Sequence, residues 1–149
     1  MHISRKADYA VRALAYLAGR PDDSLVLISE IAAAMAVPQA FLSKIMRELV
    51  DADVVLSQPG RRGGYRLSRA ANLITFRQIM EAVDGPIHMV SCQDDGNDGC
   101  TVAGNCTQVP IWDRIQLRML DIFDEYTLDQ VRSPHGLVEQ VLVQVGSPS

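Results

Sequence analysis

The stretch from Ser29 to Ser68, SEIAAAMAVPQAFLSKIMRELVDADVVLSQPGRRGGYRLS, leaves the chain few folds to choose from. Its first part predicts a helix with Ile31, Ala32 and Met35 on one apolar face. After a short turn, Phe41, Leu42, Ile45, Met46 and Leu49 recur at the spacing of a second helix. Pro38 is suited to opening that helix, where its missing N–H leaves no bond unmade. Gln39, Ser43, Lys44 and Arg47 fall on the opposite side, where they can donate to base edges or phosphates. The β-prone Val54 and Val55, then Tyr65 and Leu67, flank the run Gln58-Pro59-Gly60-Arg61-Arg62-Gly63-Gly64. That predicts a hairpin with Arg61 and Arg62 at its tip. Together these parts make a winged helix-turn-helix, with one helix for the major groove and an arginine tip for phosphates or the minor groove. A helix pair alone is a weak sign, and any one of these cations taken singly is ordinary surface charge. The combination points to double-stranded DNA.

A net charge of −4 looks wrong for such a partner until the chain is divided. Residues 1–80 hold 11 lysines and arginines against 7 aspartates and glutamates, whereas residues 81–149 hold 3 against 11. A local basic surface is what sets the electrostatic footprint on DNA, and the acidic half limits indiscriminate binding. At 149 residues the chain can bury one good core, with an extension beyond it. Nothing approaches the roughly 18 continuous apolar residues of a membrane span. The N-terminal MHISRKADYAVRALAYLAG carries charges within its apolar run and no cleavage pattern. A cytoplasmic protein with no membrane partner is expected.

Around the central stretch, residues 3–19 predict an amphipathic helix with Ala10, Ala13, Leu14, Leu17 and Ala18 facing the core. Arg5, Asp8 and Arg12 share the other side, and Arg5 and Lys6 can reach phosphate. Leu25–Ile28 reads as a short strand. Thr75 is the expected N-cap of a helix with Phe76, Ile79, Met80 and Val83 on one face, stopped by Gly85-Pro86. Further on, Ile111, Ile115, Met119, Ile122 and Tyr126 step at helical intervals, with Trp112, Leu120 and Phe123 alongside. This stripe is wide for a lone surface helix. An intramolecular core is one reading; a dimer helix is preferred, because a two-fold protein matches a palindromic operator. The fold class expected is mainly α, with a small β-hairpin wing and a long C-terminal dimerisation helix. The boundaries expected are a DNA-binding domain at 1–86, a cysteine loop at 87–109, a dimerisation helix with a short following segment at 110–132, and a tail at 133–149. In that tail, Leu137–Val145 is apolar enough to pack locally.

Cys92, Cys100 and Cys106 are the only cysteines, and they fall within 15 positions rich in glycine and polar residues. An odd number in a cytosolic protein argues against structural disulfides. Thiolates suit iron–sulfur clusters, Zn²⁺ and Cu(I). The absence of a C-x-x-C pair argues against a zinc ribbon, and the wide spacing suits a loop wrapped around something larger than one ion. A metal-free thiol switch or a zinc switch are the rivals. A cysteine-dependent oxidoreductase is remote, since only His88 stands near as a base. Three cysteines leave one coordination position, for which Asp94, Asp95, Asp98, His88 or a residue of a partner subunit are candidates.

The order of these features, with GRRGGYRLS, EAVDGP, three cysteines and a long helix beginning IWDR, resembles the Rrf2 family of bacterial transcription regulators from about Met1 to Arg132. The resemblance implies a homodimer in which long helices cross and the cysteine loop of one subunit lies near the N-terminal helix of the other. It implies that Cys92, Cys100 and Cys106 hold an iron–sulfur cluster, [4Fe-4S] or [2Fe-2S], which tunes operator affinity to nitric oxide, redox state or iron–sulfur status. The seven residues between Cys92 and Cys100 exceed the about five of many members. Val109 stands where IscR-like members place a histidine, whereas Asp8, within KADYAVRALAYLA, looks like the aspartate that NsrR-like members donate across the dimer. Gln39, Ser43 and Lys44 match the recognition-helix contact positions, and Arg61 and Arg62 the wing tip.

Overall fold

The structure is a computed structural model that describes residues 2–93 and 100–132. Helix α1, Arg5–Ala18, opens on Ser4, whose side-chain oxygen accepts from the Ala7 N–H at 3.0 Å, and closes at Gly19. It buries Ala7, Ala10, Ala13, Leu14, Leu17 and Ala18, the face that its periodicity announced plus one alanine. Helices α2, Ile28–Met35, and α3, Gln39–Asp51, follow, with Ala36 in the left-handed region at φ 54° between them. Pro38 occupies the cap itself rather than the first turn, and its carbonyl accepts from the Phe41 and Leu42 N–H groups at 3.1 and 2.9 Å. Leu42, Ile45, Met46 and Leu49 of α3 are buried. At about 1.5–3 kcal/mol for each large side chain, that stripe fixes which face of α3 is left outside.

Phe41 departs from the expected stripe. It is 39% exposed, and its ring meets Tyr9 of α1 edge-on at 5.7 Å. Four large residues already fill the core-facing arc of α3, so Phe41, one position before Leu42, falls at its margin.

Strands β1, Val55–Gln58, and β2, Gly64–Leu67, pair antiparallel from Val55↔Leu67 to Gln58↔Gly64. The strand expected at Leu25–Ile28 contracts to one antiparallel bridge, Val26 with Tyr65, because Ile28 is already helical. Both bridge hydrogen bonds are 2.9 Å. The bridge brings backbone against Gly64, where a Cβ would lie 2.6 Å from the Val26 carbonyl oxygen and φ is +150°. Only glycine fits there.

Helix α4, Phe76–Asp84, begins with a capping box. Gln78 N–H donates to the Thr75 hydroxyl at 3.3 Å, and the Gln78 side chain accepts from Thr75 N–H at 3.1 Å. It buries Ile79, Met80 and Val83 and stops at Gly85, φ +80°. Helix α5, Val109–Glu125, starts two residues before its stripe and carries Pro110 in its first turn. The chain then turns back. Phe76 N–H donates to the Tyr126 carbonyl and Leu128 N–H to that of Ile74, both at 2.9 Å, and the short α6, Leu128–Arg132, packs on α1. Leu128 is fully buried in the core shared with Leu14, Ile31, Ile45, Val54, Ile74 and Ile79. Tyr126, expected on the α5 stripe, therefore lies beyond the helix end. Among the described residues no helix is long and apolar enough to cross a membrane. The segment Leu137–Val145 and the candidates Asp94, Asp95 and Asp98 lie outside the described residues.

Candidate nucleic-acid interface and cysteine loop

With its apolar stripe buried, α3 presents Gln39, Ser43, Lys44 and Arg47 to solvent. The Ser43 hydroxyl donates to the Gln39 carbonyl at 2.9 Å, so it meets an incoming group as an acceptor. Lys44 and Arg47 form no ion pair among the described residues, nor do Arg5, Arg61 and Arg62. Lys6 differs from them. Its ammonium lies 3.2 Å from Glu48 Oε2 and 3.3 Å from Oε1, which ties α1 to the back of α3 and takes this cation out of the free set.

The wing tip puts Arg61 and Arg62 in a turn closed by Gly63 N–H donating to the Gly60 carbonyl at 3.0 Å, with Gly60 at φ +104°. A Cβ on Gly63 would collide with the Gln58 carbonyl. The base of the wing is set by a residue that sequence reasoning passed over. Arg69 donates to the Asp53 carbonyl at 2.7 Å, the Leu73 carbonyl at 3.2 Å and the Gln78 side chain at 3.0 Å. One guanidinium thereby fastens the turn after α3, where Asp53 has φ 57°, to the cap of α4. The only hint in the sequence was one more arginine just past the hairpin.

Cys92, Cys100 and Cys106 are free thiols, each half-buried. Cys92 sits in the 3₁₀ turn Ser91–Gln93, and Cys106 ends the turn Ala103–Asn105. The Cys92 turn is fastened to α5. Gln93 donates to Asp113 at 3.0 Å and accepts from Met89 N–H at 3.2 Å, while Gln116 accepts from the same N–H at 3.0 Å. His88 Nδ1 lies 3.5 Å from the Gln116 amide nitrogen. Asp8, half-exposed on the outside of α1, pairs with Arg12 at 2.8 Å. Among the described residues, no three His, Cys, Asp or Glu side chains converge to hold a metal ion. The donors nevertheless suit an iron–sulfur cluster in kind, with one ligand position left to fill: three free thiols, partly shielded, on turns and loop rather than within a helix.

Helix α5 buries none of its residues fully. Ile111, Ile115 and Ile122 are 60, 41 and 53% exposed, and Leu117, which the stepped pattern left out, is 62% exposed. Trp112, Met119 and Phe123 are half-buried. Arg114 and Arg118 border an apolar groove floored by Ile115, Met119, Ile122 and Phe123. The far end of α5 is joined to α4 through Arg77, whose guanidinium reaches Asp124 and Glu81, each at 3.1 Å. Donation to Asp124, then to Glu81, raises the Arg77 pKa further and holds it charged.

The family model described as "Iron-dependent Transcriptional regulator", Rrf2, matches residues 3–134. The chain belongs to the Rrf2 family. The HTH-type transcriptional regulator NsrR of Oceanobacillus iheyensis is 27% identical over 131 residues, covering 88% of this chain and 89% of that one. NsrR of Bacillus licheniformis is 28% identical over 131 residues, covering 88% and 92%. Among solved structures, CymR, the global cysteine regulator of B. subtilis, superposes with a TM-score of 0.73 at 24% identity, covering 89% of this chain and 97% of that one. IscR of T. potens gives 0.68 at 21% identity, covering 90% and 88%. The winged-helix Rrf2 fold is therefore shared at low identity, and the chain is a member of a family of transcription regulators.

Proposed function

We propose that this Rrf2 regulator works as a homodimer on a palindromic operator, its affinity set by an iron–sulfur cluster, [4Fe-4S] or [2Fe-2S], held by Cys92, Cys100 and Cys106. The signal is nitric oxide, redox state or iron–sulfur status. The observation that carries the reading is the continuous tie from the Cys92 turn through Gln93 and Asp113 to α5, and from α5 through Asp124 and Arg77 to α4, which packs on α3. When bound, the cluster supplies redox-active iron whose behaviour depends on its ligands and solvent exposure.

The chain's own residues do the rest. Gln93 and Gln116 hold the Met89 N–H just before the Cys92 turn, and Gln93 ties that turn to Asp113 of α5, so a change there acts on hydrogen bonds that reach the helix. Asp8 of the partner subunit is the proposed fourth ligand. Leaving Arg12 costs it little, because an exposed i,i+4 pair contributes about 0–1 kcal/mol. His88, already beside the Gln116 amide, is the less suited choice. Ile111, Trp112, Ile115, Met119, Ile122 and Phe123 supply the dimer face, with Tyr126 at its end. Gln39, Ser43, Lys44 and Arg47 meet the major groove, and Arg61 and Arg62 the backbone or minor groove. A coupling of about 1–3 kcal/mol changes operator affinity about 5–150-fold.

The test is to enrich duplexes from a random pool, then titrate the best with anaerobically isolated protein and with the same protein stripped by chelator. Different affinities support the reading, equal affinities end the sensing claim, and no enriched duplex ends DNA binding. A second reading is a thiol or zinc switch without a cluster, of which the thiol form is supported by three free, half-buried cysteines that do not converge with other ligands among the described residues. It requires iron-free protein whose affinity changes with a thiol oxidant or with zinc.

A further inference from the structure

A groove of about 450 Å³ runs between the start of α1 and the start of α3, lined by Arg5, Tyr9, Pro38, Ala40, Phe41 and Lys44. Its floor is mostly carbon and its rim carries two cations. We infer that this groove receives the C5-methyl of an operator thymine against Phe41 while Arg5 and Lys44 hold the adjoining phosphate, so that Phe41 helps to determine which sequence is bound. The inference rests on the proposal that α3 enters the major groove.

A phosphate contact alone explains the cations but not the ring. Phe41 keeps 39% of its surface exposed beside the polar face of α3, whereas Leu14 and Leu17 of α1 and Leu42, Ile45, Met46 and Leu49 of α3 are buried. The ring also has an aromatic neighbour on α1. Tyr9 meets it edge-on at 5.7 Å with the planes at 82°, and Arg12 lies 5.9 Å from the other ring of the pair, that of Tyr9. An exposed apolar surface on a DNA-facing helix has one apolar counterpart in the major groove, the thymine methyl, which no other standard base offers. Ala40 extends the same surface.

The cations fit the same occupant. Arg5 and Lys44 have no ion-pair partner among the described residues, so they are free to neutralise a phosphate. Lys6, next along α1, is held by Glu48 at 3.2 Å and acts on α3 from behind as a positioning residue. Neighbours on one stretch of α1 therefore have different roles, which salt dependence can separate.

The experiment begins with duplexes enriched by the full-length protein from a random pool. Each thymine is then replaced singly by deoxyuridine, which removes the methyl and nothing else. At one thymine in each half-site, affinity should fall about four-fold, the effect of one buried methyl group. Phe41→Ala should bind the thymine and uracil duplexes equally, and Phe41→Leu should keep the preference; thermal unfolding checks that both variants fold. Arg5→Ala should shallow the slope of log affinity against log salt by about one, whereas Lys6→Ala should leave the slope unchanged. If duplexes are enriched but uracil matches thymine everywhere, or Phe41→Ala still discriminates, the groove reading is overturned and the DNA-binding proposal stands. If no duplex is enriched, both fall together.

Discussion

Ser4 and Asp84, eighty positions apart, share a hydrogen bond of 2.7 Å that joins the start of α1 to the end of α4. Ser4 is used twice, since its oxygen also accepts the Ala7 N–H as the α1 cap. The aspartate of the EAVDGP segment thus orients the serine that starts the first helix.

We expect Ser4→Ala to lose both interactions and to cost about 1–2 kcal/mol, with Asp84→Ala costing less because the cap survives. Urea unfolding of the two single variants and the double variant checks this. A double variant no worse than Ser4→Ala would show that the two residues act as one unit.

Gly64→Ala should destabilise the protein by about 1–3 kcal/mol, because φ +150° and the Val26 carbonyl at 2.6 Å leave no room for a Cβ. Gly104→Ala, at a position open within 4 Å, should be close to neutral, and urea unfolding of both variants checks the contrast.

Much of this architecture was legible because periodicity and punctuation agreed. Leu42, Ile45, Met46 and Leu49 repeat at helical spacing and are buried together, and Gly63-Gly64 marks a hairpin whose glycines are both sterically required. What stayed hidden depends on partners distant in sequence. Lys6 looked like one more phosphate contact until Glu48, 42 positions away, was found beside it. Leu128 looked like part of an outlying segment, yet the Thr75–Thr127 bridge returns it to the core. The role of Phe41 turned on a crowding that residue spacing does not reveal. For the cysteines, the donor type was readable, whereas their placement relative to one another was not, since residues on separate turns and loop carry no shared sequence period.

Arg61→Ala and Arg62→Ala should each weaken operator binding and shallow the salt dependence by about one unit of slope for every phosphate that is no longer neutralised. Unfolding temperature should stay put, since both side chains are exposed and unpaired among the described residues. An unchanged slope would mean that the wing tip does not touch the backbone.

Ile115→Asp and Ile122→Asp should turn a dimer into a monomer in sedimentation velocity, since each puts a charge on the apolar floor of the α5 groove. Folding of the single chain should survive, because neither side chain is buried within it. A dimer that persists in both variants would place the interface elsewhere.

Arg77→Met keeps an unbranched side chain of similar length but removes the ties to Asp124 and Glu81. Stability should change by less than about 1 kcal/mol, as for other half-exposed ion pairs. The difference in operator affinity between cluster-loaded and stripped protein should shrink, as fluorescence anisotropy would record. An undiminished difference would mean that coupling runs through another route.

Whether the three cysteines hold a cluster is decided by the iron and acid-labile sulfide content of protein purified without oxygen, read beside its visible absorption spectrum. The protein should be coloured and contain iron and sulfide in matching amounts, both missing from Cys92→Ser, Cys100→Ser and Cys106→Ser. A colourless wild-type protein free of sulfide would contradict cluster-based sensing.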